Sequence, residues 1–240
     1  MITLKLADIS VGIDNKYPFM EALAKDFLTE EAPDITLLVT DDEIERERGS
    51  AKESREYLES IAIYRKLAER LPEYDAFVFH AATLNFSGDA LAFTAKSGVG
   101  KTTHTRLWID TLGKERVHYL NGDKPIIRFV GDLPYVFGTP YRGKEGYGRN
   151  ECAPLRAITF VERGDTNTAE LLSRDDAVMR LAGQVYMPRS PIAAVKTLCL
   201  IDKLVSSVQL VLLHCTPDKG AVEAAYRAIY PDGEPVSYDG

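Results

Sequence analysis

One segment of this 240-residue chain has the residue types and spacing that bind phosphate. Residues 95–102 read Ala-Lys-Ser-Gly-Val-Gly-Lys-Thr. In the P-loop (Walker A) pattern, backbone N–H groups surround phosphates, a lysine reaches the terminal phosphates and a hydroxyl holds magnesium. Only Ala95 deviates, because the pattern has glycine there. Gly98 and Gly100 can take the positive φ angles that let successive amides converge on an anion. The spacing therefore predicts a P-loop that binds ATP, or ADP, with Mg²⁺.

The sequence on both sides of this segment supports the prediction. A strand is predicted just before it at residues 91–94, and an amphipathic helix bearing Leu107, Trp108 and Leu112 begins at Lys101. The N-terminus of a helix favours a bound anion. The alternative is a glycine-rich loop that only turns the chain. The predicted cofactor-binding residues are Ser97, Gly98, Val99, Gly100, Lys101, Thr102 and Thr103.

Two further residues have side chains suited to phosphate chemistry. Asp123 follows a predicted strand at 117–120, where a carboxylate that completes a magnesium site is expected, so Thr102 and Asp123 are the predicted metal ligands. The alternative is a solvated aspartate in an Asn-Gly turn. His80 is predicted on the strand that precedes the P-loop strand, where an imidazole could transfer protons. The alternative for His80 is a buried core histidine.

A basic, glycine-rich segment at residues 138–150 is the third feature. It carries Arg142, Lys144 and Arg149 in a chain whose net charge is -7. Such a loop suits a mobile lid over phosphate or an anionic substrate, the alternative being a solvated surface loop. The predicted catalytic residues are Asp123, His80, Lys101, Arg142 and Lys144. The predicted substrate-binding residues are Lys124, Glu145, Arg149 and Asn150.

These motifs resemble those of the superfamily of HPr kinase/phosphorylase and phosphoenolpyruvate carboxykinase. They are most similar to short HPr-kinase-like P-loop proteins of bacteria. The similar segments are Ser-Gly-Val-Gly-Lys-Thr-Thr-His-Thr at 97–105, Asn-Gly-Asp-Lys-Pro at 121–125, Gly-Thr-Pro-Tyr-Arg-Gly-Lys-Glu at 138–145, residues 150–155, and Glu-Arg-Gly at 162–164. The similarity runs over residues 80–226, and more loosely over the N-terminal part.

The resemblance implies a kinase-like core that uses ATP and Mg²⁺. It implies Lys101 and Thr102 at the nucleotide, Asp123 at the metal and His80 near the transferred phosphate. The chain departs from the better-known relatives at Lys124, where they have a second acidic residue. Lys124 cannot act as a general base unless it is deprotonated, and we expect it instead to neutralise charge on the γ-phosphate. No segment resembles one that docks HPr, so HPr is not inferred as the substrate.

The leading functional hypothesis is a P-loop kinase that passes the γ-phosphate of ATP to a hydroxyl group of a small molecule or a peptide. Two alternatives stay open: a carboxykinase-like enzyme acting on a 2-oxo acid, and a non-catalytic nucleotide-sensing module. The short chain and the missing second acidic residue disfavour the carboxykinase. The sequence specifies neither the acceptor nor the oligomeric state, and an oligomer is compatible with it.

The fold class predicted from the pattern is α/β with a mixed, largely antiparallel sheet. A tight hairpin with the turn Ser87-Gly88-Asp89, rather than a helical crossover, leads into the P-loop strand. We predict two domains, a small N-terminal α/β lobe at 1–74 and an HPr-kinase-like P-loop catalytic domain at 75–240.

Hydrophobic periodicity predicts the elements of each part. In the N-terminal lobe it predicts strands at 2–7 and 35–39, amphipathic helices at 17–28 and 55–71, and a loop or frayed helix start at 41–54. In the catalytic domain it predicts strands at 76–84, 90–94, 117–120, 126–130, 135–137, 157–161 and 209–214, and helices after the P-loop and at 175–184, 192–208 and 221–229.

Composition limits the partners and the compartment. Hydrophobic residues make up 45% and charged residues 27% of the chain, as in a globular protein with a sizeable core. The net charge of -7 argues against nucleic acid or an acidic membrane as the main partner. The three cysteines lack zinc or redox-motif spacing, and no signal peptide is recognised. We therefore expect a cytoplasmic protein with buried or half-buried free thiols.

Overall fold

The N-terminal residues form a small sheet of their own in the computed structural model, which describes residues 1–49, 53–96 and 98–233. β1 (Ile2–Leu6) and β2 (Ile9–Asp14) form an antiparallel hairpin, and β3 (Ile35–Leu38) pairs with β2 in parallel. The predicted strands at 2–7 and 35–39 are confirmed. β2 was not predicted, although Ile9-Ser-Val-Gly-Ile-Asp14 alternates between apolar and polar or small residues; all of these residues except Asp14 are buried.

Three helices pack with this sheet: α1 (Phe19–Leu23), α2 (Asp41–Arg46) and α3 (Arg55–Arg70). The Ser54 side chain caps α3 by accepting a hydrogen bond from the N–H of Tyr57. Leu58, Ile63 and Leu67 are among the buried residues of α3 that pack into the N-terminal core. The helix predicted at 55–71 is confirmed.

One prediction for this region is wrong, and for another segment one of two alternatives is confirmed. The helix expected at 17–28 is only α1, followed by a 3₁₀ turn at Lys25–Phe27, because the extended Leu28 forms a bridge with Leu4 of β1 and pulls the chain out of helical geometry. Of the two alternatives expected at 41–54, a loop or a frayed helix start, the second is the one found: α2 is a short helix that Thr40 and Glu43 stabilise through a reciprocal capping box, and residues 50–52 lie outside the described part.

The rest of the chain builds a larger sheet. Its strands are β4 (Ala76–Val78), β5 (Ala82–Phe86), β6 (Asp89–Thr94), β7 (Val117–Asn121), β8 (Ile126–Val130), β9 (Leu133–Phe137), β10 (Cys152–Arg163), β11 (Thr168–Leu171) and β12 (Gln209–Cys215). Within the described residues the lateral order is β4-β8-β9-β10-β6-β5-β7, with β12 beside β10 and β11 beside β12. Only β6 and β12 run parallel to β10, and the other neighbours are antiparallel. The predicted mixed, largely antiparallel α/β sheet is confirmed.

The hairpin predicted around residues 87–89 is confirmed. β5 and β6 pair around Ser87 and Gly88, which have φ of 52° and 99°. The side chain of Asn85 accepts a hydrogen bond from the Gly88 N–H at 2.9 Å and closes the turn. After β6 the chain runs through residues 95–100 into a helix.

The strand predicted at 76–84 is two separate strands, β4 and β5. Between them, the N–H groups of Phe79, His80 and Ala81 donate to backbone carbonyls of residues 125, 184 and 123, and not to a neighbouring strand. In the sequence, residues 76–84 form one apolar run and so resemble a single strand. The run is continuous because all of these residues except His80 are buried, including those between the two strands. The break places β4 and β5 at different positions in the sheet.

Helices cover both faces of the larger sheet. They are α4 (Lys101–Leu112), α5 (Arg174–Ala182), α6 (Pro191–Ser207) and α7 (Lys219–Ile229). Strand β6 shows the division of the core: Ala90 and Ala92 pack with α5 and α6, whereas Leu91 and Phe93 pack with α4 and α7. The helices predicted in this part are confirmed. The exposed edge strand β11 was not predicted, because backbone pairing with β12 and not side-chain burial forms it.

The core of the N-terminal lobe continues into the larger sheet. Ala76, Val78, Ile126 and Phe137 belong to the same buried cluster as the residues of β1, β2 and α3. The division into 1–74 and 75–240 stays a prediction.

The three cysteines are free thiols. Cys152 and Cys199 are exposed and Cys215 is half-buried, so the expectation of burial is wrong for the first two. Across residues 1–49, 53–96 and 98–233, no helix combines the length and the apolar character needed to span a bilayer.

His104 is a buried histidine in α4. Its Nε2 accepts a hydrogen bond from Trp108 Nε1 at 3.0 Å, and its ring meets Phe93 edge-on at 5.1 Å. Burial lowers the pKa of His104 to about 4, so the imidazole is neutral at neutral pH.

We predict that His104 makes the protein less stable in mild acid. Between pH of about 6.5 and about 4 the unfolded chain binds a proton at this histidine and the folded chain does not, so stability falls as pH falls. The full effect on the free energy of unfolding is about 3 kcal/mol. His104→Gln keeps an acceptor for Trp108 and removes the titration. Denaturant unfolding across this range should show a weaker pH dependence for the variant than for wild type. A variant whose stability depends on pH as steeply as that of wild type would contradict this role for His104.

Candidate functional site

A cleft of about 1040 Å³ brings the predicted segments together. We call residues 95–102, which follow β6 and end in the first turn of α4, the glycine loop, and residues 138–150 the basic segment. The predicted site residues that line the cleft are His80, Gly98, Gly100, Lys101, Thr102, Thr103, Asp123, Lys124, Arg142, Lys144 and Glu145. Val99, Arg149 and Asn150 do not line it, and Ser97 lies outside the described residues.

The glycine loop has positive φ angles and leads into an uncapped helix. Gly98 and Gly100 have φ of 79° and 121°, and a Cβ at either would have open space around it. The backbone conformation, and not crowding, is therefore what favours glycine there. Among the described residues no side chain caps the N-terminus of α4, so none of them supplies a side-chain acceptor to the N–H groups of its first turn. An anion in the cleft can accept these hydrogen bonds.

Arg163, at the end of β10, holds the glycine loop from outside the cleft. Its Nη2 donates to the Gly98 carbonyl at 2.8 Å, and its Nε donates to the Val99 carbonyl at 3.4 Å. These two hydrogen bonds hold the Gly98 and Val99 carbonyls against the Arg163 guanidinium group. The sequence analysis did not identify Arg163 as a site residue, and its one signal was the Glu-Arg-Gly resemblance at 162–164.

Lys101 lies in a partly dehydrated position in the cleft. Burial lowers its pKa, the charge of Asp123 opposes this effect, and the charge of Lys124 adds to it. Within the described residues Lys101 makes no ion pair. A poorly hydrated, unpaired ammonium group interacts strongly with an anion that enters its site.

Asn121 builds the turn that presents Asp123 to the cleft. Its Oδ1 accepts hydrogen bonds from the N–H groups of Asp123 and Lys124, both at 2.8 Å. Its Nδ2 donates to the carbonyl and the hydroxyl of Thr139, at 3.1 and 3.0 Å. The Thr139 hydroxyl in turn donates to the Lys124 carbonyl at 2.7 Å. One fully buried amide therefore joins the end of β7 to the start of the basic segment.

The Asp123 carboxylate lies between two cationic or proton-donating groups. His80 Nε2 and Lys124 Nζ are each 3.2 Å from the same oxygen, Oδ1. Within the described residues, Oδ2 has no hydrogen-bond partner. Burial would raise the pKa of Asp123, but the hydrogen bond from His80 and the charges of Lys124 and His80 outweigh burial and lower it to about 2. Asp123 is therefore ionised and accepts protons poorly at neutral pH, which favours metal binding or charge balance.

His80 is not on a strand, as the sequence had predicted, but in the connection between β4 and β5. Its N–H donates to the Gln184 carbonyl at 2.7 Å, and its carbonyl accepts a hydrogen bond from the Thr94 hydroxyl at 3.1 Å. The second contact keeps His80 beside the end of β6, where the glycine loop begins. The expected neighbourhood is therefore correct although the expected element is wrong.

The basic segment is attached to its surroundings by its backbone and by Tyr147. The N–H of Arg149 donates to the Leu120 carbonyl at 3.0 Å. The Tyr147 ring stacks on Tyr119 with centroids 4.6 Å apart. Gly143 has φ of 75°, and a Cβ there would lie 3.0 Å from Asp123 Cβ, so glycine permits the close approach of this segment to the carboxylate.

The polar residues of the basic segment face different partners. Arg142 Nη2 donates to Asp26 Oδ2 at 2.9 Å, and Asn150 Nδ2 donates to the Asp26 carbonyl at 2.8 Å. Arg149 is 3.4 Å from Glu151 and lines a neighbouring groove. Lys144 lines the cleft and makes no ion pair within the described residues. Of the three basic residues, only Arg142 and Lys144 therefore reach the cleft.

The N-terminal lobe also lines the cleft, which the sequence analysis did not predict. Its contribution is mainly apolar or aromatic at Phe19, Leu23, Tyr57, Ile61 and Tyr64 of α1 and α3, and polar or charged at Lys25, Asp26 and Ser60. Tyr141 joins this lobe to the basic segment: its ring lies 4.7 Å from that of Tyr64, and its hydroxyl donates to the Ser60 carbonyl at 2.9 Å. No local pattern signals these contacts, because they join residues far apart in sequence.

The side chains in the cleft fit a magnesium ion held mainly by phosphate and water. Among the residues that the structure describes, no group of three or more His, Cys, Asp or Glu side chains could hold a metal ion. Asp123 offers a carboxylate and Thr102 a hydroxyl in one cleft. Mg²⁺ is usually bound by one or two carboxylates together with substrate phosphates. Thr102 and Asp123 suit a nucleotide-bound magnesium ion better than a metal centre made of protein alone.

Comparison with known proteins gives a distant structural likeness. No model of a known protein family matches the chain, and no curated protein matches it. Among solved structures, the HPr(Ser) kinase/phosphatase from Coxiella burnetii is similar over 54% of this chain and 88% of that chain, with a TM-score of 0.30 and 12% sequence identity. This likeness is too distant to carry an argument, and the family membership inferred from the motifs stays a prediction.

We predict that Asn121→Ala destabilises the protein by about 2–3 kcal/mol, because it leaves buried N–H and carbonyl groups without partners. Denaturant unfolding at neutral pH measures the change. Asn85→Ala is the matched control, since Asn85 makes one side-chain hydrogen bond in an exposed hairpin turn. Its cost should stay below about 1 kcal/mol. Equal losses for the two variants would contradict the role given to Asn121.

Proposed function

We propose that this protein is an ATP- and magnesium-dependent kinase that transfers phosphate to a hydroxyl group. One observation carries the proposal: the glycine loop with Lys101, the ionised Asp123 beside His80, and two cations of the basic segment all line one cleft. Each part answers a need of phosphoryl transfer, in which catalysis comes from positioning and from stabilising charge on the phosphate oxygens.

The proposed roles follow from position and charge. Lys101 and the N–H groups at the start of α4 bind the terminal phosphates. Thr102 and Asp123 hold Mg²⁺, which when bound neutralises phosphate charge. Lys124 and Arg142 add positive charge around the transferred group. Asp123 supplies Oδ2 to the metal, since His80 and Lys124 both contact Oδ1.

The transfer itself joins the acceptor oxygen to the terminal phosphorus. The bond from that phosphorus to the bridging oxygen breaks, and the bridging oxygen keeps the electron pair on the nucleoside diphosphate. The proton of the acceptor hydroxyl passes to a base. Asp123, with a pKa of about 2, is a poor base at neutral pH. We assign the role to His80, whose Nε2 lies 3.2 Å from Asp123 Oδ1 and whose Nδ1 would accept the proton.

We restrict the proposed lid to the tip of the basic segment, residues 143–146. Arg142 is fixed to Asp26, and Tyr147 is stacked on Tyr119. Residues 143–146 lie between these two anchors and include Lys144, which has no ion pair within the described residues. We propose that this tip closes over a bound anion and that Lys144 contacts it.

A non-catalytic nucleotide sensor is the second candidate, and one observation favours it. Lys124, and not a second carboxylate, contacts Asp123. An ammonium group in this position balances charge but does not activate a hydroxyl unless it loses its proton. Phosphate transfer from ATP to any acceptor distinguishes the two candidates, since a sensor binds nucleotide without transferring phosphate.

We predict that Lys101→Ala weakens the binding of Mg²⁺-ADP about tenfold or more, because a charged hydrogen bond to phosphate is lost. Isothermal titration calorimetry measures the affinity. Lys203→Ala, on α6 and paired with Asp132 away from the cleft, is the control and should bind like wild type. The same affinity for Lys101→Ala and wild type would contradict nucleotide binding at the glycine loop.

We predict that Asp123→Asn removes most of the effect of Mg²⁺ on nucleotide affinity. Asparagine has nearly the size of aspartate, but it lacks the negative charge of the metal ligand. Titrations with ADP, with and without Mg²⁺, give this effect for each protein. Asp132→Asn changes a carboxylate whose side chain is 99% exposed and should respond to Mg²⁺ like wild type. An Asp123→Asn protein that responds equally strongly would disprove the metal assignment.

A further inference from the structure

One wall of the cleft is apolar and comes from the N-terminal lobe. This apolar wall consists of Phe19, Leu23, Tyr57, Ile61 and Tyr64. The rings of Phe19 and Tyr57 meet edge to face, with centroids 6.2 Å apart at 76°, and Tyr57 is 43% exposed. Ligand pockets are concave and lined mainly by such side chains, with a few polar groups that orient the ligand.

Tyr64 adds a polar group to the apolar wall. Its ring packs on Tyr141. Its hydroxyl has no hydrogen-bond partner within the described residues, whereas the Tyr141 hydroxyl donates to Ser60. Burial is the main reason why the pKa of Tyr64 is raised, and the negative charge of Asp123 is the second. The Tyr64 hydroxyl therefore keeps its proton and can donate a hydrogen bond.

The apolar wall lies at the end of the cleft where phosphate would be transferred. Lysines of glycine loops reach the terminal phosphates of a nucleotide, and the metal-binding carboxylate lies beside the transferred group. The Tyr64 ring packs on Tyr141 with centroids 4.7 Å apart, and the Tyr141 carbonyl accepts a hydrogen bond from the Lys124 N–H at 3.2 Å, so the wall adjoins the turn that carries Asp123. The nucleobase is the most distant part of a nucleotide from its terminal phosphate, which argues against the wall as the base site.

The cleft extends from the glycine loop to the apolar wall and is closed on the side of the basic segment. Its volume of about 1040 Å³ lies at the upper end of the range of ligand pockets, about 300–1,000 Å³. The contacts from Tyr141 to Ser60 and from Arg142 to Asp26 close the side between the N-terminal lobe and the basic segment. This closed side limits the length of a ligand that lies on the apolar wall.

We infer that the apolar wall binds the phosphate acceptor, and that this acceptor is a small hydroxyl compound with an apolar, ring-sized body whose hydroxyl contacts Tyr64. The inference rests on the proposed kinase function. A sugar or another polyol fits poorly, because most of its hydroxyl groups would lose hydrogen bonds to water without gaining protein partners. Phe19 and Ile61 contact the apolar body.

Binding of simple probes tests this assignment. 2-Phenylethanol, ethylbenzene and glycerol are compared by saturation-transfer NMR on the full chain, with and without saturating Mg²⁺-ADP. Phe19→Ala and Ile61→Thr should each weaken 2-phenylethanol binding about fivefold or more. Tyr64→Phe should weaken 2-phenylethanol binding and leave ethylbenzene binding unchanged. Val195→Ala, on the exposed face of α6, and Tyr186→Phe, outside the cleft, are the matched controls.

Each contrary outcome overturns the inference in a recognisable way. Glycerol binding as tightly as 2-phenylethanol, or cleft variants that bind it like wild type, disproves an apolar acceptor site. Adenosine displacing 2-phenylethanol assigns the wall to the nucleobase instead. A serine-containing peptide that binds more tightly than 2-phenylethanol disproves a small acceptor. Calorimetry of Mg²⁺-ADP on the same proteins is independent: if ADP binds and no ring alcohol does, the acceptor inference fails and the kinase proposal stands.

Discussion

The buried side chain of Asn121 is the interaction on which the site depends. Its amide binds the turn that carries Asp123 on one side and Thr139 on the other. The same turn receives the backbone N–H of Ala81, next to His80. Three separated parts of the sequence are thus fixed against one another by backbone and amide hydrogen bonds. A leucine at position 121 would have similar size, but it could satisfy none of these groups, and each unpaired buried group is unfavourable by about 1–3 kcal/mol.

This arrangement collects positive charge that the protein only partly balances. Lys101 and Lys124 lie close enough for one to lower the pKa of the other, and Asp123 is the carboxylate between them. Arg142 is balanced by Asp26, whereas Lys144 has no ion pair within the described residues. A concave surface focuses such charge and raises the local concentration of anions. An acidic chain with a net charge of -7 can therefore have a cleft lined by cations, because the distribution of charge and not the net charge decides the local potential.

The sequence predicted the parts of the site that depend on local pattern. The hairpin, the glycine loop segment and the Asn-Gly-Asp turn each combine turn residues with flanking strands, so they could be recognised without a structure. The length of α1 could not be predicted, because the bridge between Leu28 and Leu4 ends the helix through a distant contact. The position of His80 was wrong for the same reason: its backbone pairs with Gln184, far along the chain. The contribution of α1 and α3 to the cleft likewise depends on Tyr141, which no local pattern links to them.

The N-terminal lobe belongs to the site because it holds the basic segment in place. Tyr141, Arg142 and Asn150 all contact residues 20–60, and the lobe shares its core with β4 and β8. The distance between the basic segment and the glycine loop is therefore set through this lobe as well as through the larger sheet. A ligand that contacts both the apolar wall and the glycine loop gains from this fixed geometry, because neither side has to be ordered on binding. The packing of the lobe against the sheet favours the binding of such a ligand by a certain free energy. Because coupling is reciprocal, the bound ligand stabilises that packing by the same free energy.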